Sequence, residues 1–96
     1  MADDDLAFLN LILLLGTMAS RRLDGVARAG TDERNERLHA SRGTIDMLTS
    51  LKKRTTGRLS PEEERVIDSV LRDLQARYVR ALASPAAPAA PPPARP

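Results

Sequence analysis

His39 is the one histidine in a chain of 96 residues that contains no cysteine. A single imidazole without thiolates cannot build the His or Cys ligand sets that transition metals need. It falls on the polar side of an expected helix, so it reads as a solvated side chain rather than a general base. Serines and threonines are plentiful, but none stands at a recognisable spacing from a base that would activate its hydroxyl. The carboxylates gather at Asp3, Asp4 and Asp5 and at Glu62, Glu63 and Glu64, where helix starts explain them. Neither G-x-x-x-x-G-K-[ST] nor G-x-G-x-x-G occurs, so no glycine loop cradles a phosphate. The expectation is a protein that is not an enzyme and that holds no cofactor and no metal.

The remaining chemistry is charge. Lys52, Lys53, Arg54 and Arg58 form a basic elbow in a chain whose net charge is only +2, with a pI near 9.7. Such an elbow suits either an acidic protein surface or nucleic acid. Two helices around it would imitate a helix-turn-helix, but the second opens with three glutamates, which repel phosphate where a recognition helix approaches DNA. Phe8 and Tyr78 are the only aromatic residues, too few for a base-stacking platform. The elbow is therefore assigned to partner binding, and a small basic nucleic-acid-associated protein is the alternative. Complementing the negative end of a helix dipole also accounts for cations placed here.

Three helices must position these residues. The stretch LAFLNLILLLGTMA, residues 6–19, is apolar or glycine at twelve of fourteen positions. An acidic start with no Lys or Arg before Arg21 does not fit a secretion signal. Asp5 and Ser20 leave fourteen residues between them, short of the about 20 that cross a ~30 Å hydrocarbon layer. The stretch reads instead as the middle of a buried helix at about 4–23, with acidic residues at its positive end and Arg21 and Arg22 at its negative end. At 100° per residue Asn10, Thr17 and Arg21 share one narrow stripe, and apolar residues take nearly all the rest. A helix so apolar must be covered on most sides, which two further helices of one small chain can hardly do. A second copy could, so Phe8, Leu11, Leu14, Leu15 and Met18 are expected to mediate self-association, giving a homodimer or higher homo-oligomer.

Residues 24–31, DGVARAGT, read as a connector, with Thr31 as N-cap of a second helix at about 32–55. Leu38, Ile45, Leu48 and Leu51 mark its apolar face, with Ala40, Thr44 and Met47 beside them; its opening, DERNER, is polar enough to fray. KKRTTG ends it, with Gly57 in the C′ position. Ser60, Pro61 and Glu63 spell a capping box and open a third helix at about 61–83. Its seam is Ile67, Leu71, Leu74, Tyr78 and Ala81, and Asp68 with Arg72 and Asp73 with Arg77 are expected i,i+4 pairs. Pro85 forbids continuation. The fold class is thus all-α: a helical domain at 1–83, completed by homo-oligomerisation, and a disordered Pro/Ala-rich tail at 84–96 that serves as a flexible or semi-rigid extension or a ligand for an aromatic groove.

FLNLILLLGTMA, followed by TIDMLTSLKKRTTGRLSPEEERVIDSVLRDLQARYV, resembles the bacterial family labelled domain of unknown function 1844. The pattern is an apolar first helix, then T-I-D-x-L, K-T-x-G-x-L-x-P-E-E and a closing R-x-x-Y-V. It falls on Thr44, Ile45, Asp46, Leu48, Lys53, Thr55, Gly57, Leu59, Pro61, Glu62, Glu63, Arg77, Tyr78 and Val79. The likeness runs from about Phe8 to Val79; Arg54 with Thr55 and Thr56 in the linker departs from it. It implies a small cytoplasmic helical protein and brings no activity. A looser analogy, of size and style only, links the chain to RomX-type polarity factors of gliding bacteria, which work with a response-regulator-like partner on a Ras-like GTPase. The resulting expectation is an adaptor or regulatory interaction module with a protein partner, possible kinds being a response-regulator-like protein or a small GTPase.

Overall fold

A computed structural model of the chain describes residues 3–85. It contains α1 (Asp3–Asp24), a 3-10 turn (Val26–Arg28), α2 (Thr31–Arg54) and α3 (Pro61–Ala83). Every bound lies within one residue of the sequence expectation, and among the described residues there is no strand. Most of the tail, 86–96, lies outside them.

Each helix packs on the other two. Arg37 near the start of α2 donates to the Arg22 carbonyl at the end of α1, so these two helices are antiparallel. Lys52 at the end of α2 pairs with Asp68 near the start of α3, so α2 and α3 are antiparallel too. α1 and α3 run parallel, joined by Gly16 against Val70 and by Asp24 with Arg77. The result is an up-down-up three-helix bundle. Its core is Ile12, Ala19 and Leu23 from α1, Leu38, Ile45 and Leu48 from α2, and Ile67, Leu71, Leu74 and Ala81 from α3. Leu51 and Tyr78 pack against its edge.

Local chemistry explains the boundaries. The Ser60 hydroxyl accepts from the Glu63 amide at 3.1 Å, and the Glu63 carboxylate accepts from the Ser60 amide at 2.8 Å. This satisfies two otherwise unpaired donors at the α3 start. α2 ends where the hydroxyls of Thr55 and Thr56 donate back to the carbonyls of Leu51 and Lys52. Gly57, expected in the C′ position, instead stands one residue beyond it. Its φ of +80° closes the turn in which the Arg58 amide donates to the Thr55 carbonyl. That left-handed conformation is open to glycine at little cost.

Three local expectations are corrected. Thr31 is the first residue of α2 rather than its cap; Gly30 holds the N-cap position with no side-chain bond. The DERNER opening is tied down rather than frayed. One Arg34 Nη2 donates to the carbonyls of Ala81, Leu82 and Ser84 at 3.2, 3.0 and 2.9 Å, placing a cation on the negative end of α3. The connector is also part of the core: Val26 and Ala29 are each 1% exposed, plugging the bundle end where α1 turns into α2.

Candidate interaction surface

The bundle divides α1 lengthwise. Ile12, Gly16, Ala19 and Leu23 face inward, spaced four, three and four residues apart. Gly16 lets α1 approach α3 closely: a Cβ there would stand 2.9 Å from Val70 Cγ1. Rotated by about 140–160° from Gly16 at 100° per residue are Leu11, Leu14 and Met18, which remain 41%, 57% and 46% exposed. Ala7, also exposed, extends the row. Phe8 and Leu15 lie between the two faces and pack against the protomer's own core. The five residues assigned to self-association thus separate into three that the protomer leaves in water and two that it partly uses itself.

Single exposed leucines are ordinary; a contiguous row of large ones is the informative case. Here the row follows 4-3-4 spacing, Ala7 to Leu11 to Leu14 to Met18, as in the apolar seam of a paired helix. A second apolar strip borders α3, where Leu13, Val66 and Val70 line a groove of about 410 Å³ with Glu62, Arg65 and Ser69. On the polar side of α1, Asn10 and Thr17 are exposed, with exposed Arg21 at the border between that side and the Leu11–Leu14–Met18 row, and the Thr17 hydroxyl folds back onto the Leu13 carbonyl at 2.8 Å.

The basic elbow is less unified than its sequence implies. Successive positions on α2 differ by 100°, so Lys52, Lys53 and Arg54 leave the helix in three directions. Lys52 is held by Asp68, which replaces the Asp68–Arg72 pair expected from i,i+4 spacing. The Asp73–Arg77 pair is present at 3.0 Å, and Arg77 also reaches Asp24 at 3.3 Å. Lys53, Arg54 and Arg58 are exposed. Lys52 and Lys53 line a groove of about 420 Å³ between α2 and α3, together with Thr49, Thr56, Asp68, Leu71, Arg72 and Gln75. His39 is exposed, and among the described residues no three His, Asp or Glu side chains gather as a metal site.

By length and composition alone, Leu6–Arg28 passes the test for a membrane span, with a mean hydropathy of 1.4 in an 18-residue window that is 22% buried. Counting only the uninterrupted run between Asp5 and Ser20 misses this, because such a window tolerates scattered polar residues. The buried helix of a soluble bundle passes the same test.

Fold and surface together define a small all-α bundle with a charged exterior and an apolar row along the outer face of α1. The chain belongs to the family described as domain of unknown function (DUF1844), whose profile matches residues 5–80. No curated protein and no solved structure matches it.

Proposed function

We propose that the chain is a non-catalytic interaction module, a helical adaptor that self-associates through α1 and offers its charged α2–α3 surfaces to a protein partner. The observation that carries this reading is the exposed row of Leu11, Leu14 and Met18, which has no counterpart in the needs of the monomer fold. Pairing two copies removes these side chains from water and yields two equal partner surfaces. Among the described residues Lys53, Arg54 and Arg58 are exposed and carry no ion pair; Lys52 contributes through its pair with Asp68.

The packing of α1 also favours a protein that stays out of the bilayer. If α1 left to span a membrane, α2 and α3 would expose Ile45, Leu48, Ile67, Leu71 and Leu74 to water. The reading is therefore cytoplasmic. By analogy of size and style, the partner is a switch protein of the response-regulator or Ras-like kind, held in one state by differential binding.

Affinity capture from native extract tests the reading, using the full chain, a chain ending at Ser84 and the Lys53→Glu/Arg54→Glu variant. The expected result is a partner retained by the first two and lost by the third, with helicity unchanged in all. Retention of the same partner by the charge-reversed chain would remove the elbow from the contact. Duplex DNA retained with a steep salt dependence, in place of a protein, would transfer the chain to nucleic-acid association.

A further inference from the structure

The exposed row on α1 continues with the same spacing at both ends. Positions 4, 7, 11, 14, 18 and 21 alternate in steps of three and four, and read Asp, Ala, Leu, Leu, Met, Arg. All six lie within α1 (Asp3–Asp24). The row is therefore acidic at its start, apolar in the middle and basic at its end, with a small residue near one end and a long one near the other.

We propose that two copies of the chain pair through α1 in an antiparallel, two-fold arrangement. The register sets Leu11 opposite Leu14 of the second copy and Ala7 opposite Met18, and brings the acidic start of one α1 beside the basic end of the other. This rests on the self-association reading above and adds its orientation and register. In the antiparallel register each large residue meets a smaller or equal one, which fills the seam evenly. Each acidic end meets a basic end, twice per dimer by symmetry. A parallel pair would bring the two acidic starts together and the two basic ends together and set Met18 on Met18, while the two Ala7 residues would leave a gap. Exposed ion pairs contribute little affinity, so the terminal charges select orientation, while Leu11, Leu14 and Met18 supply the attraction. A lipid surface is a poorer occupant: membrane-surface helices carry basic residues along the polar face, whereas this one is acidic at residues 3–5, neutral at Asn10 and Thr17, and basic only at its far end, Arg21 and Arg22.

The chain has no cysteine, so single cysteines report pairing cleanly. Ala7→Cys and Met18→Cys are oxidised separately and as a mixture, each variant bearing a tag of different mass. Positions 7 and 18 are about 16 Å apart along a helix, beyond the ~7 Å Cα separation a disulfide bridges. The expected result is a mixed disulfide in the mixture and no linked product from either variant alone. Linked homodimers of each single variant would overturn the antiparallel register while leaving self-association intact. No linkage in any sample, with the chain sedimenting as a monomer, would overturn both, and co-sedimentation of that monomer with anionic vesicles would name a membrane as the occupant. A charge exchange gives an independent check. Asp4→Arg should weaken dimerisation severalfold and Arg21→Asp in the same chain should restore it; failure of the second change to restore would count against the proposed register.

Discussion

Gly16 of α1 sits against Val70 of α3 so closely that a methyl group on Gly16 would stand 2.9 Å from Val70 Cγ1. This contact sets the rotation of α1 in the bundle. With Gly16 turned inward, Ile12 and Ala19 are fully buried and Leu11, Leu14 and Met18 face away.

Replacing Gly16 with alanine should therefore destabilise the protein, against the usual trend for helices. Helix propensity favours alanine by about 1 kcal/mol, but overpacking against a β-branched neighbour costs about 1–3 kcal/mol. The expected net loss in urea unfolding is about 1 kcal/mol. In a Val70→Ala background the clash is gone and the same change should become stabilising. A Gly16→Ala effect of unchanged sign in the two backgrounds would show that Val70 is not the constraint.

Arg34 carries the end of α3. Its Nη2 serves three carbonyls, of Ala81, Leu82 and Ser84, and charged hydrogen bonds are worth about 1.5–3 kcal/mol. Arg34→Ala should lower stability by about 1–2 kcal/mol and raise amide exchange in the last turn of α3. Unchanged exchange there would mean that the cap contributes nothing in solution.

The Ser60–Glu63 box is a reciprocal unit, and Glu63 is only 5% exposed. Ser60→Ala should cost about 1 kcal/mol. Because each residue bonds the other's backbone, the double change Ser60→Ala/Glu63→Ala should cost less than the two single losses added together. Strict additivity would show that the two bonds are independent.

The boundaries of the fold were legible because they rest on neighbours in sequence. Ser60, Pro61 and Glu63 announce α3 within four positions. The i,i+4 spacing of Asp73 and Arg77 suffices to pair them. What escaped depends on distant partners. Arg34 finds its carbonyls 47 to 50 residues away, so its stretch reads as merely polar. Asp68 prefers Lys52 of the neighbouring helix to Arg72 of its own. Val26 and Ala29 are two small apolar residues among glycine and arginine, too few to show a period, yet they close the core. α1 was legible as a helix and illegible as a surface. Leucine and its kin fill nearly its whole circumference, and the narrow stripe of Asn10, Thr17 and Arg21 is too slight a polar contrast to mark which side Phe8 and Leu15, or Leu11 and Leu14, will take. The Gly16–Val70 approach decides that, and one glycine is a weak sign until its neighbour is known.

The central claim is that the exposed α1 row is covered by a second copy of the chain. Sedimentation equilibrium of the wild-type chain and of Leu14→Glu, over a wide concentration range, tests it most directly. A glutamate in an apolar seam loses hydration without gaining a partner, yet position 14 is 57% exposed in the protomer, so the bundle itself should tolerate it. The expected result is a wild-type mass of two 10.5 kDa chains and a Leu14→Glu mass of one, with equal helicity. A wild-type chain that stays at the mass of one at every concentration, or a Leu14→Glu chain that pairs as well as wild type, would contradict the account.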